Sequence, residues 1–262
     1  MFAKLQSFWV YPTIIITIVA IASLQLPQLN RLTKRDETTS PKALQQAVDK
    51  ENLRLNLLQK TPTFGFNNLV ANWTFLNFLQ YFGDDEARKV TGYNLNPKYF
   101  EIIINRDPRF LGAYISLSNS ISMYAAMPEK SVALMTQGLK SMSPQFPPQS
   151  YYVWRYKAID ELLFLGDAQA ARQSFEKAAE WASAYSDQES KNVANISRKT
   201  AAFLARNPKS KTAQVAAWTM ILSNTTDPRT QKIAIDRIEA LGGKVFMTPE
   251  GKVEKIQSPA RD

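Results

Sequence analysis

Between Lys4 and Arg31 the chain carries 26 consecutive uncharged residues, Leu5 to Asn30. Few places in a folded protein accept such a run. Its apolar heart, Ser7 to Pro27, matches the roughly 20 residues that cross a bilayer as a helix. Trp9 and Tyr11 stand at one edge, where amphipathic rings suit the headgroup level, and Arg31, Lys34 and Arg35 mark the other edge as aqueous. Pro12 fits a first helical turn, where its missing N–H is no loss. The leading reading is an uncleaved transmembrane anchor over residues 1–30, with 8–29 in the lipid bilayer. Two others stay open. Ala20-Ile21-Ala22 before Ser23 fits a signal-peptide cleavage pattern, although the segment before the apolar run holds only Lys4 and the run continues through Leu24 and Leu26. The third is a buried core helix.

Lys4 precedes the run, while Arg31, Lys34, Arg35 and Lys42 follow it. The positive-inside rule therefore places the C-terminal part in the cytoplasm. The alternative is a signal-anchor with the soluble domain on the exported, periplasmic or lumenal, side.

Composition narrows the chemistry. With no Cys and no His, the chain has no disulfide, thiol nucleophile, imidazole base or zinc-finger ligand set. A net charge of +9 favours acidic partners. Its bases are scattered, though, and neither Arg31, Lys34, Arg35 nor Arg206, Lys209, Lys211 is interleaved with aromatics, so nucleic acid is not expected.

Residues 31–40 are polar and read as a juxtamembrane linker. Ser40 and Pro41 then open a helix whose Leu44, Val48, Leu55 and Leu58 share a face to about Lys60, and Thr61-Pro62-Thr63-Phe64-Gly65 breaks it. Further helices are expected over Leu69 to Phe82, where Gly83 is read as a left-handed cap, and over Pro97–Arg106, Phe110–Tyr124, Pro128–Met142, Tyr151–Leu165, Ala168–Ser183, Asp187–Arg206, Lys211–Ser223 and Asp227–Leu241. Val245–Met247 and Lys252–Ile256 around Thr248-Pro249-Glu250-Gly251 read as a small β-hairpin. The expected organisation is an anchor (1–30), a linker (31–40), a leading helix and turn (41–65), an all-α helical repeat domain (66–241), and a hairpin with tail (242–262).

Consecutive helix pairs invite a search for a repeat. From Tyr152 to about Tyr185 the chain carries Leu162, Leu165-Gly166-Asp167, Ala171, Phe175 and Ala178. A second copy runs from Leu111 to about Pro144, with Tyr114, Leu117, Ser118 and Ile121, with Ala125-Ala126 replacing Gly-Asp and an extra residue assigned to its second helix. A third is split between Trp73, Leu76, Leu79 and Phe100, Ile103, Ile104, interrupted near Asp85 to Asn96. The pattern resembles the tetratricopeptide repeat family over about residues 66–185, with two more helix pairs expected beyond. The stretches NLVANWTFLNFLQYFGD and YFEIIINRDPRFLGAY also look like membrane-anchored bacterial, often cyanobacterial, repeat proteins with no assigned reaction. The combination of anchor and repeats is similar to assembly proteins of photosynthetic membranes. The resemblance implies a right-handed solenoid of helical hairpins, its concave face lined by first helices that bind a protein or peptide. Carried over by register, that lining is Trp73, Asn77, Gln80, Ile115, Asn119, Ser122, Tyr156 and Asp160, with Asn77 and Asn119 equivalent and able to bond a peptide backbone. The competing view makes these merely solvated positions on any helical stack.

Other motifs are weak. Asp84-Asp85-Glu86 and Asp160-Glu161 pair carboxylates without the spacing of a calcium loop. Gly242-Gly243-Lys244 lacks the Ser or Thr and upstream Gly of a phosphate loop. No nucleophile-elbow pattern supports Ser-Lys catalysis. The expectation is a non-catalytic scaffold, without cofactor or metal, that binds a membrane-complex subunit. The alternatives are an exported repeat protein of an envelope or polysaccharide pathway and, more remotely, a hydrolase on a helical scaffold.

Overall fold

The structure, a computed structural model, describes residues 12, 14–23, 25–26, 40–206, 211–224, 228–248 and 253–259. Residues 1–44 and 45–262 form two compact units. In the first, the described residues between 12 and 26 are helical. Ile14, Ile15, Ile16, Ile18, Val19, Ile21 and Leu26 are all exposed. The Ser23 hydroxyl folds back to donate to Val19 O at 2.7 Å, so it needs no outside partner. Among the described residues no helix is long and apolar enough to cross a membrane. Residues 1–11, with Trp9 and Tyr11, positions 13, 24 and 27–30 and linker positions 31–39 lie outside the described residues, as does the hairpin turn at 249–252.

From Ser40 onward the chain is mostly helical, with a small two-stranded antiparallel sheet at the C-terminus. The helices are α1 (Pro41–Lys60), α2 (Asn67–Phe82), α3 (Asp85–Thr91), α4 (Asn96–Arg106), α5 (Ala113–Ser118, continuing as a π-helical turn over Asn119–Tyr124), α6 (Pro128–Leu139), α7 (Tyr151–Leu163), α8 (Ala168–Ala182), α9 (Gln188–Arg206), α10 (Lys211–Asn224) and α11 (Pro228–Ala240). Strands β1 (Lys244–Met247) and β2 (Val253–Gln257) pair antiparallel, Lys244 opposite Gln257 and Val245 opposite Ile256.

Punctuation residues explain most boundaries. Ser40 Oγ accepts from Ala43 N at 3.3 Å, and Asp167 accepts from Ala170 N at 2.9 Å to start α8. These are N-cap bonds that satisfy otherwise orphaned helix donors. Gly83 corrects the sequence reading. Its φ is −79°, so it is not a left-handed cap. The chain needs no reversal there because Asp84 at once caps α3, accepting from Ala87 N at 3.4 Å. That short helix fills the stretch read as an insertion. It is anchored by Arg88, whose guanidinium lies 3.7 Å from the Tyr81 ring centre and donates to Gly92 O at 3.1 Å.

The first core runs from α1 through α9. α2 packs on α4, α4 on α6, α6 on α7, α7 on α8 and α8 on α9, around Phe78, Tyr99, Phe100, Ile103, Tyr114, Leu117, Ile121 and Tyr151. Within it, two helix pairs repeat. The turn closing α5 is held by Ala125 N to Ser120 O and Met127 N to Ile121 O. The turn closing α7 is held by Leu165 N to Asp160 O and Asp167 N to Glu161 O. Every partner recurs 40 residues on, and so does the left-handed residue, Ala126 at φ 52° and Gly166 at φ 68°. Buried Ser131, Met135 and Gly138 on α6 stand where Ala171, Phe175 and Ala178 stand on α8. The widened turn is π-helical and belongs to the first helix of the copy, whereas the sequence reading put an extra residue in the second.

The last two helices do not extend this stack. α10 packs on α11, on α7 and on the π-helical turn. The second core joins Val215, Trp218, Ile221, Leu222, Ala234 and Ile238 to Ala126 and Phe164, at the ends of the two repeated first helices. Phe164 meets Trp218 edge-on at 5.9 Å. Thr230 Oγ1 donates to Tyr124 O at 3.2 Å, and Arg237 pairs with Glu129. Val245 and Ile256 of the hairpin close this core.

Candidate partner-binding face

The sequence of α2, NNLVANWTFLNFLQYF, contains no charge. Ala71, Thr74, Phe78 and Tyr81 recur at helical spacing and are buried, and the opposite side leaves Leu69, Trp73, Leu76 and Leu79 exposed. Trp73 is covered on one face by Arg54 of α1, whose guanidinium carbon lies 4.8 Å from the ring centre. Asn77 Nδ2 donates to Trp73 O at 2.6 Å within its own helix, which leaves its carbonyl oxygen for a partner. Gln80 is exposed. On α5 the same division holds, with Ala113, Tyr114, Leu117 and Ser118 buried and Ile115 and Asn119 exposed one turn apart. Tyr156 on α7 is half-buried and stacked on Tyr152 at 6.1 Å.

Ser122 and Asp160 are elsewhere. They are 0% and 1% exposed, and they touch each other. Asp160 Oδ2 accepts from Ser122 and Ser131 at 2.6 Å each, and Oδ1 accepts from Ser118 at 2.9 Å. The correction has a definite cause. The sequence register set Asp160 opposite Asn119, 41 positions earlier, but the turn bonds equate it with Ser120, 40 positions earlier. One residue turns a helical position by about 100°, enough to move a side chain from the surface to the interior.

The Asp160 cluster fastens α7 to both α5 and α6. Burial pushes its carboxyl up to about 6, against the pull of the three hydroxyls. Beside it, Glu161 on α7 pairs with Lys157 and accepts from Ser174 of α8 at 2.6 Å. Lys157 Nζ also donates to Ser174 at 3.0 Å. The serine is thus bonded on both sides within an ion-pair network that ties α7 to α8, an arrangement for holding helices together. Mid-helix Asp-Glu with serines at 118, 122, 131 and 174 was the visible signal, but its meaning depends on a register that composition does not give.

Along the same side of α7, Trp154, Lys157, Gln173, Ser174, Glu176, Lys177 and Glu180 line an open cavity of about 610 Å³. Trp154 and Ala170 give it an apolar wall, and Lys157, Glu176, Lys177 and Glu180 its charge. Among the described residues no cluster of three or more acidic, His or Cys side chains could hold a metal.

What remains of the expected lining is a surface set on three helices: Trp73, Asn77 and Gln80 on α2, Ile115 and Asn119 on α5, and partly Tyr156 on α7. Such first-helix positions offer ring, aliphatic and amide contacts without a reacting group. No family model matches the chain, and no curated protein or solved structure matches it either.

Proposed function

We propose that the chain is a membrane-anchored, non-catalytic scaffold of tetratricopeptide-like helical pairs that holds a protein partner, a subunit of a membrane complex, during its assembly or maintenance. The observation that carries this reading is that α2 and α5 bury one side in the common core and leave Trp73, Gln80, Ile115 and Asn119 outward. Contact residues of this kind need only shape, apolar area and amide hydrogen bonds. The exposed isoleucines of the N-terminal helical segment support an anchor, since an apolar surface of that kind is stable only when lipid or protein covers it. An anchor also raises the effective concentration of a membrane partner without any new contact. The excess of Lys and Arg after the apolar run supports a cytoplasmic position for the soluble domain.

The test is photocrosslinking in native membranes, with a photoreactive residue placed singly at Trp73, Ile115 or Asn119 of the full-length chain and at Arg172, an exposed position of α8, as control. Adducts to a membrane-complex subunit from the first three positions and not from Arg172 support the scaffold. Equal or absent adducts remove it. Protease treatment of sealed vesicles fixes the side: digestion from the cytoplasmic face agrees with the proposal, and protection replaces it with the exported-side alternative.

A further inference from the structure

The most exposed large apolar side chain of the described residues is Phe64, 86% exposed. Its backbone makes that exposure unusual. Phe64 has φ 48°, followed by Gly65 at 92°. A bulky side chain is strained in the left-handed region and persists only where the surroundings impose it. Here they do. Arg106 of α4 reaches across, its Nη2 donating to Gln59 O at 3.0 Å and Thr61 O at 2.8 Å, which closes the carbonyl end of α1. Phe66 N bonds Thr63 O at 2.8 Å, and Thr63 Oγ1 donates to Asn67 Oδ1 at 2.6 Å. The loop is built, and it holds Phe64 and Phe66 outward, flanked within one helical turn by Leu57 of α1 and Leu69 of α2; the last three are 65%, 61% and 65% exposed.

We infer that this tip, Leu57, Phe64, Phe66 and Leu69, inserts into the interfacial layer of an anionic bilayer and so sets how the helical domain stands on the membrane. The inference rests on the membrane-anchored reading above. Three features choose lipid over a protein partner. First, the tip exposes Leu and Phe, the residues that seat interfacial segments at the boundary between headgroups and acyl chains. A protein partner would have to offer an apolar pocket to receive it. Second, from Asn52 to Gly83 there is no Asp or Glu; Arg54 is paired with Glu51 at 2.6 Å, and the bases at the tip are Lys60 and Arg106, whose guanidinium donates to Thr61 O. Glu101, which approaches from α4, accepts from Gln59 at 3.3 Å. The field at the tip therefore suits negative headgroups. Third, the chain between the apolar run and α1 is residues 31–40. Ten extended residues reach roughly 35 Å, comparable with the roughly 30 Å length of a 20-residue helix, so the tether lets the far end of α1 reach the bilayer surface.

The experiment uses the absence of cysteine. Phe64→Cys, Leu69→Cys and, as control, Arg172→Cys are introduced singly into the full-length chain and labelled with an environment-sensitive fluorophore. The protein is reconstituted into vesicles of equal phosphatidylcholine and phosphatidylglycerol carrying headgroup-depth spin labels. The expected result is a blue shift and several-fold stronger lipid quenching at positions 64 and 69 than at 172. A Phe64→Asp, Phe66→Asp background should abolish the quenching at 69 while the protein still floats with the vesicles. Labels at 64 and 69 that behave like the control, or that are shielded from an aqueous quencher without being quenched by lipid, overturn the inference, the second outcome assigning the tip to a protein surface. A chain that fails to float refutes the anchor itself, which separates that failure from this one.

Discussion

Gly138 on α6 stands directly over the hydroxyl of Tyr114 on α5: a Cβ added at Gly138 would lie 1.7 Å from Tyr114 Oη and 2.6 Å from its ring carbon Cζ. The tyrosine has nowhere to go, because its side chain is fully buried and its hydroxyl donates to Pro108 O at 2.6 Å. The contact sets how closely the two helices of this pair approach.

Gly138→Ala should therefore destabilise the chain despite the gain in helix propensity, by about 1–3 kcal/mol, the usual cost of overpacking. Thermal or denaturant unfolding checks this. A Gly138→Ala, Tyr114→Phe double variant should recover part of the loss, since it removes the atom nearest the new methyl group. Equal stability of wild type and Gly138→Ala would mean the helices are not held at this distance.

Asp160 makes a pH prediction with a definite sign. Its carboxyl is raised by burial from 3.8 to about 6 in the folded chain. Between those values the folded state binds more protons than the unfolded state, so stability from this group rises as pH falls from 7 toward 4 and is lost as pH rises through 6. In Asp160→Asn that contribution is gone. The stability of wild type relative to the variant should increase on acidification from pH 7 to 4, by about 3 kcal/mol at most. Unfolding both proteins across this range tests it, since the titrations of the other carboxylates largely cancel in the difference. A pH-independent difference would place the Asp160 titration near its ordinary value.

These two sites show why the helices were legible and the candidate face only partly so. Helix boundaries are written locally: Ser40 and Asp167 cap through bonds to residues three positions on, Pro97 and Pro128 sit in first turns where their fixed φ suits the helix, and Thr61-Pro62 breaks α1. The hairpin was equally local. Ser122 lies inside the π-helical turn at Asn119–Tyr124, and Asp160 corresponds to Ser120 in that turn; the turn shifts the register by one without any glycine or proline to announce it, so both positions read as surface. α3 was missed because seven residues are too few to show a helical period. The folding of α10 onto α7 is a long-range choice, made by Trp218 finding Phe164, and periodicity in either segment is silent about it.

Arg106 should act locally. Arg106→Met removes three main-chain contacts, the third being Leu58 O at 3.4 Å, while keeping an aliphatic stem. Hydrogen exchange of amides between Thr61 and Phe66 should accelerate about tenfold, in line with a charge-assisted bond worth 1.5–3 kcal/mol at a half-exposed site. Global stability should fall far less than in a core variant. Unchanged exchange would show that Thr63 and Asn67 alone hold the loop.

Trp218 carries the strongest prediction about architecture. It is 1% exposed and sits in a core separate from the main one, with Arg237 over its ring at 5.4 Å. Trp218→Ala should cost about 3–5 kcal/mol, but only to the part of the molecule that depends on this core. The expected outcome is release of α10, α11 and the hairpin while α4 through α9 remain folded, seen as selective protease cleavage beyond Arg206 and loss of exchange protection confined to residues 211–257. Uniform loss of protection across both cores would instead show that the repeats cannot stand without the C-terminal helices braced across their turns, and that Phe164 and Ala126 belong to a single cooperative unit with Trp218.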